Sequence, residues 1–237
     1  MIDLKNKKFL LTGGTSGIGK EILKYLSLKN KVILLTRKKI KHPNTYSYIC
    51  NLENSNQIDE NFIQIKKKFK SLDGIINCAG FTEKNSSLQN VESLKKIIDV
   101  NLLSTYKICI LFSKIMKNNS SIVNISSINA YQAFKNNPGY MVSKNIILNL
   151  SKSLALDLSK KKIRVNTISP GYIKTRMTNK SYNNKKRNKL IKSRTILNRW
   201  GEPREIAKPV IFLLSSGSSY INGSDIIVDG GWISKGI

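Results

Sequence analysis

The sequence predicts an α/β fold: a single doubly wound, parallel sheet flanked by helices, with a small helical lid. Three observations lead there. Short apolar runs alternate with segments of helical periodicity along all 237 residues. A glycine-rich turn, Gly13 to Gly19, joins the first apolar run to the first amphipathic segment. No internal repeat or linker breaks the alternation, so residues 1–237 read as one domain.

Phe9-Leu10-Leu11 forms the first expected strand, and Ile18, Ile22, Leu23, Tyr25 and Leu26 follow helical spacing after the turn. Val32 to Leu35 reads as the second strand and Tyr46 to Cys50 as the third. Only about ten residues lie between them, too few for a full crossover helix. Ile58, Phe62, Ile65 and Phe69 mark an amphipathic helix, followed by a strand over Asp73 to Asn77. The spacing of Ile97, Ile98, Leu102, Ile108 and Phe112 predicts one long helix from Val91 to Met116. Ile122, Val123 and Ile125 form a buried strand, and a helix from about Pro138 runs on through Leu154 and Leu158. Ile163 to Ile168 is a strand stopped by Pro170-Gly171. A helix over Arg204 to Leu214 and a strand over Asp225 to Val228 complete the chain. Thr178 to Arg199 is polar, strongly basic and poor in core residues. It reads either as a lid over a site or as a solvated surface helix.

Composition narrows the function. The chain is 40% hydrophobic, ordinary for a folded protein. Three widely spaced cysteines (Cys50, Cys78, Cys109) sit among apolar residues and read as buried reduced thiols. A single histidine, His42, argues against metal sets and Ser-His-Asp hydrolysis. No leader or membrane span is visible, so a soluble cytoplasmic protein is expected. Lys+Arg of 41 against Asp+Glu of 14 gives a formal charge of +27. The cations are spread along the whole chain without nucleic-acid motifs, which points to compositional bias and not to nucleic-acid binding. An acidic substrate or acidic carrier protein stays open.

Two stretches carry chemistry. In Thr12-Gly13-Gly14-Thr15-Ser16-Gly17-Ile18-Gly19, glycines let the backbone approach a pyrophosphate and the helix start supplies N–H donors. In Ile122 to Lys144, Ser127 leaves a strand while Tyr140 and Lys144 sit four residues apart on one helix face. A hydroxyl, a phenol and an ammonium that converge there make a proton-transfer site.

Together these stretches resemble the short-chain dehydrogenase/reductase family, and the likeness covers the full length. TGGTSGIG matches the family's cofactor turn, and Asn77-Cys78-Ala79-Gly80 stands where the family has Asn-Asn-Ala-Gly. Asn101 in DVNLLS, then Ser127, Tyr140 and Lys144, match its catalytic positions. Pro170-Gly171 with Ile173 and Thr175 matches the nicotinamide-side loop, and Val228-Asp229-Gly230-Gly231 the C-terminal signature.

The resemblance implies a Rossmann-like domain and a set of roles. Tyr140 would protonate the substrate carbonyl oxygen as hydride reaches the carbon. Lys144 and the oxidised nicotinamide would lower the phenol pKa from its free value of about 10, and Lys144 would also hold the nicotinamide ribose. Ser127 would orient the carbonyl, and Asn101 would hold a water that relays protons to Lys144. Gly13, Thr15, Ser16, Gly17, Ile18 and Gly19 would hold the dinucleotide, as would Asn77, Ala79 and Gly80. Asn51-Leu52, where the family usually has Asp followed by an apolar residue, would flank the adenine.

At the end of the second strand, Thr36 and Arg37 stand where a carboxylate would select NADH. A hydroxyl and a guanidinium suit a 2′-phosphate, so NADPH is expected, with NADH possible. The likeness is greatest to 3-oxoacyl-carrier-protein reductases, with sugar, sugar-acid and polyol dehydrogenases beside them, the ending DGGWISKG favouring the latter. Lys117, near the end of the long helix, and Lys161 stand where the reductases present cations to acidic carrier protein. A homotetramer packed through the long helix and the Tyr140 helix is the oligomer the resemblance implies.

Overall fold

The computed structural model describes residues 4–83, 90–135 and 137–235. Its strands are β1 (Lys8–Thr12), β2 (Lys31–Thr36), β3 (Thr45–Ile49), β4 (Leu72–Asn77), β5 (Met116–Ile125), β6 (Arg164–Pro170) and β7 (Asp225–Val228). All are parallel in one sheet of order β3-β2-β1-β4-β5-β6-β7. The chain winds outward in opposite directions from β1 and β4. Their carboxyl ends therefore border the crevice where open α/β sheets take ligands.

The apolar runs are continuous because both faces of the sheet are covered. In β1, Leu10 points to one core with Ile33, Ile65 and Phe112, while Phe9 and Leu11 point to the other with Ile22, Leu26 and Val210. The first face is covered by helices α2 (Ser55–Phe69), α4 (Ser104–Ser113) and α5 (Pro138–Asp157). Helices α1 (Gly17–Ser27) and α8 (Pro203–Leu214) cover the second. The remaining helices are α3 (Val91–Ile98) and the short α6 (Asn179–Asn183) and α7 (Lys185–Arg194). No helix lies between β2 and β3, as their spacing requires. Tyr25 turns to solvent while its neighbours Leu23 and Leu26 are buried.

One expectation fails. The segment from Val91 to Met116 is not a single helix: α3 passes into a π-helical turn over Asp99–Leu103 before α4 resumes, and the helix ends at Ser113. The Ser104 N–H reaches back five residues to the Asp99 carbonyl. Hydroxyls meet the disturbed carbonyls: Ser104 Oγ donates to Val100 O at 2.7 Å and Thr105 Oγ1 to Asn101 O at 2.8 Å. After Ser113 the bonds tighten to three-residue spacing, and Met116 pairs with Leu72 as the start of β5. Lys117 is therefore a strand residue, with its Nζ 3.0 Å from Asp73 Oδ1. Lys161 donates to Ser113 O at 3.2 Å. Within one chain both lie at the amino-terminal end of the sheet, opposite Ser127.

Among the described residues no helix is long and apolar enough to cross a membrane.

Candidate active site

Three segments after β1, β4 and β5 form the site. The turn after β1 fits a phosphate group. Gly13 has φ +72°, and a Cβ there would lie 2.7 Å from Ala79 Cα. Gly17 has φ +53°, with Thr175 Cγ2 3.1 Å from where its Cβ would be. Only glycine lets this turn sit between the β4 turn and the loop after β6. Ser16 precedes α1 in extended conformation with no side-chain cap bond, so the first N–H groups of α1 have no side-chain partner. Thr12 Oγ1 accepts from the N–H groups of Cys78 and Ala79, at 3.1 and 3.0 Å, and ties the two turns together.

Asn77 turns away from the crevice. Its Nδ2 donates to Asn124 Oδ1 at 2.8 Å and to Cys109 Sγ at 3.3 Å, and Asn124 continues to Ser151 Oγ at 2.9 Å. Its side chain is thus a core strut that sets the height of Cys78-Ala79-Gly80.

Asn101 is buried in the π turn and clamps the next residues. It accepts from Phe81 N–H at 2.7 Å and donates to Phe81 O at 2.9 Å and Ser143 Oγ at 3.0 Å. These bonds fix the Asn101 side chain beside Phe81 and Ser143, and its Oδ1 keeps a second lone pair for the expected water. Gly80 completes the convergence: a Cβ there would stand 3.6 Å from Lys144 Nζ and 4.0 Å from Asn101 Oδ1.

Tyr140 and Lys144 enter on the first two turns of α5. Pro138 starts that helix, and Gly139 lets α3 approach, since a Cβ there would lie 3.0 Å from Leu94 Cδ1. Lys144 is buried; its Nζ donates to Ile125 O at 2.7 Å and lies 5.7 Å from the Tyr140 ring centroid. Burial pushes the Lys144 pKa down to about 8, against a smaller opposing effect of Cys78. Burial pushes the Tyr140 phenol up to about 12; hydrogen bonding to Ser127 opposes this and Cys78 adds to it. The expected lowering by Lys144 is thus not what the protein's own groups produce. Desolvation wins, and it keeps the phenol protonated, the form a proton donor requires. Ser127 Oγ also accepts from Asn129 N–H at 3.2 Å, which fixes the hydroxyl at the mouth of β5.

The other expected residues are placed as follows. Thr36 Oγ1 donates to Lys38 O at 3.1 Å and closes the turn after β2, where Arg37 is exposed. Asn51 Oδ1 accepts from Glu53 N–H at 3.3 Å, and Leu52 packs on the first core. Gly171 presses on Asp229, with its Cβ position 2.6 Å from Asp229 Cα. Ile173 is buried in the second core, and Thr175 N–H donates to Thr178 Oγ1 at 3.1 Å. Among the described residues no group of His, Cys, Asp and Glu could hold a metal.

Sequence reasoning missed an aromatic wall beside Ser127. Ile128, Ile191, Trp200 and Trp232 form a separate buried cluster with Phe134, Tyr172 and Tyr182. Tyr172 stands edge-on to Trp200 at 5.4 Å and tilts on Trp232 at 4.7 Å, while Trp232 Nε1 donates to Gln132 at 3.0 Å. The basic segment is anchored there through Ile191. A cavity of about 850 Å³ opens at the amino-terminal end of the sheet, near Lys117 and Arg164, and is lined by none of Ser127, Tyr140 and Lys144.

A parallel sheet with a phosphate-binding turn and a Ser-Tyr-Lys group at its carboxyl end defines a dinucleotide-dependent oxidoreductase. A family model described as Enoyl-(Acyl carrier protein) reductase matches residues 21–233. The 3-oxoacyl-[acyl-carrier-protein] reductase FabG of Buchnera aphidicola is 35% identical over 243 residues, covering 97% of this chain and 98% of that protein. Among solved structures, 4-hydroxyisoleucine dehydrogenase complexed with NADH superposes with TM-score 0.92 at 31% identity, covering 98% of this chain and 100% of that one. The ligand-free aldohexose dehydrogenase of Thermoplasma acidophilum gives 0.91 at 30%, covering 99% and 96%. The chain belongs to the short-chain dehydrogenase/reductase family.

Proposed function

We propose that this oxidoreductase uses NADPH to reduce the ketone of a 3-oxoacyl thioester, carried on acyl carrier protein, to a secondary alcohol. The observation that carries the reading is the convergence of Ser127, the half-buried Tyr140 and the buried Lys144, whose Nζ lies 5.7 Å from the Tyr140 ring. A protein that only sensed nucleotide would have no use for that phenol. The bound cofactor would supply hydride. The turn Gly13 to Gly19 would hold its pyrophosphate, with Ala79, Gly80, Asn51 and Leu52 along the adenosine half. Pro170, Gly171, Ile173 and Thr175 would lie along the nicotinamide half. Ser127 orients the carbonyl oxygen, Tyr140 gives it a proton, and Lys144 holds positive charge beside the forming phenolate. The basic helices α6 and α7 act as the substrate lid. Exposed apolar side chains on α4 and α5 (Tyr106, Val142, Ile146) fit a homotetramer, and we place the enzyme in the cytoplasm.

A substrate panel followed at the reduced-nicotinamide absorbance tests this. A short 3-ketoacyl thioester should be turned over faster than any keto-sugar. The second reading, a sugar-acid or polyol dehydrogenase, is favoured by Trp232 of DGGW, which builds the aromatic wall. Turnover of a keto-sugar acid without turnover of the thioester would reverse the ranking.

NADPH preference rests on Arg37, exposed directly after β2 where no carboxylate stands. Arg37→Asp should lower the ratio of kcat/KM for NADPH over NADH by about tenfold or more, the loss of one charge-assisted bidentate contact. An unchanged ratio removes Arg37 as the discriminator.

A further inference from the structure

Every charged side chain in α6 and α7 is a cation, and no ion pair among the described residues involves one of them. All of them are exposed to solvent, as a charge run is. Two also stand against the aromatic wall. Arg187, Ile191 and Arg194 are spaced four and three residues apart, so they share one face of α7, and Ile191 is buried in the aromatic wall. That face borders the wall through Ile191, while both arginines keep their contact with solvent. The Arg194 guanidinium lies 5.1 Å over the Trp232 ring. Burial raises the Tyr172 phenol pKa, and the nearby charges of Arg187 and Arg194 both pull it back down. Tyr172 directly follows the Pro170-Gly171 loop and Ile128 directly follows Ser127, so the wall under these arginines adjoins the carbonyl site. Solvent-accessible guanidiniums beside an aromatic wall, paired with no carboxylate among the described residues, suit a planar or tetrahedral oxyanion.

We propose that Arg187 and Arg194 form a substrate subsite for an oxyanion, so that the enzyme favours ketones carrying a carboxylate or a phosphate away from the reacting carbonyl. This deepens the reductase reading and rests on it. The two sources differ in where the charge sits: a phosphate on the arm of a carrier thioester, or a carboxylate on the acyl or sugar-acid chain.

The test compares wild type with Arg187→Gln, Arg194→Gln and Lys189→Gln, the last from the opposite face of α7. Steady-state kinetics would use a 3-oxobutyryl N-acetylcysteamine thioester, its 4′-phosphopantetheine counterpart and an acyl-end carboxylate analogue. Calorimetry on the NADP⁺-loaded enzyme would compare 4′-phosphopantetheine with pantetheine and gluconate with glucose. Each arginine substitution should raise KM or Kd for one charged class by about tenfold, with a smaller change for its neutral twin. The class affected identifies the source. Lys189→Gln should move neither. Equal effects on charged and neutral ligands, or the same effect from Lys189→Gln, would show only a diffuse field and overturn the subsite. The calorimetric arm needs no turnover. Preserved, arginine-dependent anion binding without thioester turnover therefore defeats the reductase reading alone.

Discussion

Tyr140→Phe should lower kcat for ketone reduction by about 10³-fold, which corresponds to roughly 4 kcal/mol of barrier. The substitution removes one oxygen and keeps the ring that Lys144 faces at 5.7 Å, so α5 and the pyrophosphate turn should stay in place. Nucleotide affinity, read by quenching of protein fluorescence, should change by less than about threefold. The size of the loss follows from the environment. Burial has already pushed the phenol up to about 12, so it arrives protonated across the neutral range. Ser127 is the hydroxyl at hand to hold the carbonyl oxygen against it. The thiol of Cys78, pushed up to about 12 by burial, stays neutral across the same range. Activity retained within tenfold would move the proton donor elsewhere and with it the whole assignment.

The parts of the molecule legible from sequence are those where local chemistry dictates geometry. A turn that must run close to backbone needs Gly13 and Gly17, and a pair of residues four apart on a helix shares a face wherever the helix goes. Strand alternation carried information that the expected cofactor role for Asn77 did not use. Ile75 faces the first core, and Asn77, two residues on, must face it too. The π turn was hidden for another reason. Its register depends on Asn101 holding Phe81 and Ser143, which lie 20 and 42 residues away, and no periodicity records such bonds. Ile108 and Phe112 continue the helical spacing into Ile115 and Met116, so the change from α4 to β5 leaves no apolar signature. The aromatic wall was illegible because Tyr172, Trp200 and Trp232 come from loops without repeat spacing and meet only once β5, β6 and the C-terminus are assembled. The same assembly turned a uniformly basic segment into one with two distinct faces.

Lys144→Met should abolish most activity, by about 10²- to 10³-fold, and yet stabilise the fold. Lys144 carries its charge in a buried site, and its pKa falls from 10.5 to about 8. Below pH 8 both folded and unfolded chains hold the proton, and the folded state bears the full cost of the buried charge, about 3 kcal/mol by linkage. Between pH 8 and 10.5 the unfolded chain binds the extra proton, so this contribution to stability rises with pH and the cost is relieved. Methionine removes the charge but also the bond to Ile125 O, worth about 1 kcal/mol. The expected net gain near pH 7 is therefore about 1–2 kcal/mol, or about 2–4 °C in Tm per kcal/mol for a chain of this size. The comparison must be a difference between variant and wild type. The Cys50, Cys78 and Cys109 thiols and the Tyr140 phenol are all raised by burial, and they lower stability as pH climbs past 9 in both proteins. The advantage of the variant should shrink from pH 8 to 10.5 in melts at matched ionic strength. A variant less stable than wild type at every pH would mean that the tie to Ile125 outweighs the buried charge, and that the lysine is held for structure as well as for catalysis.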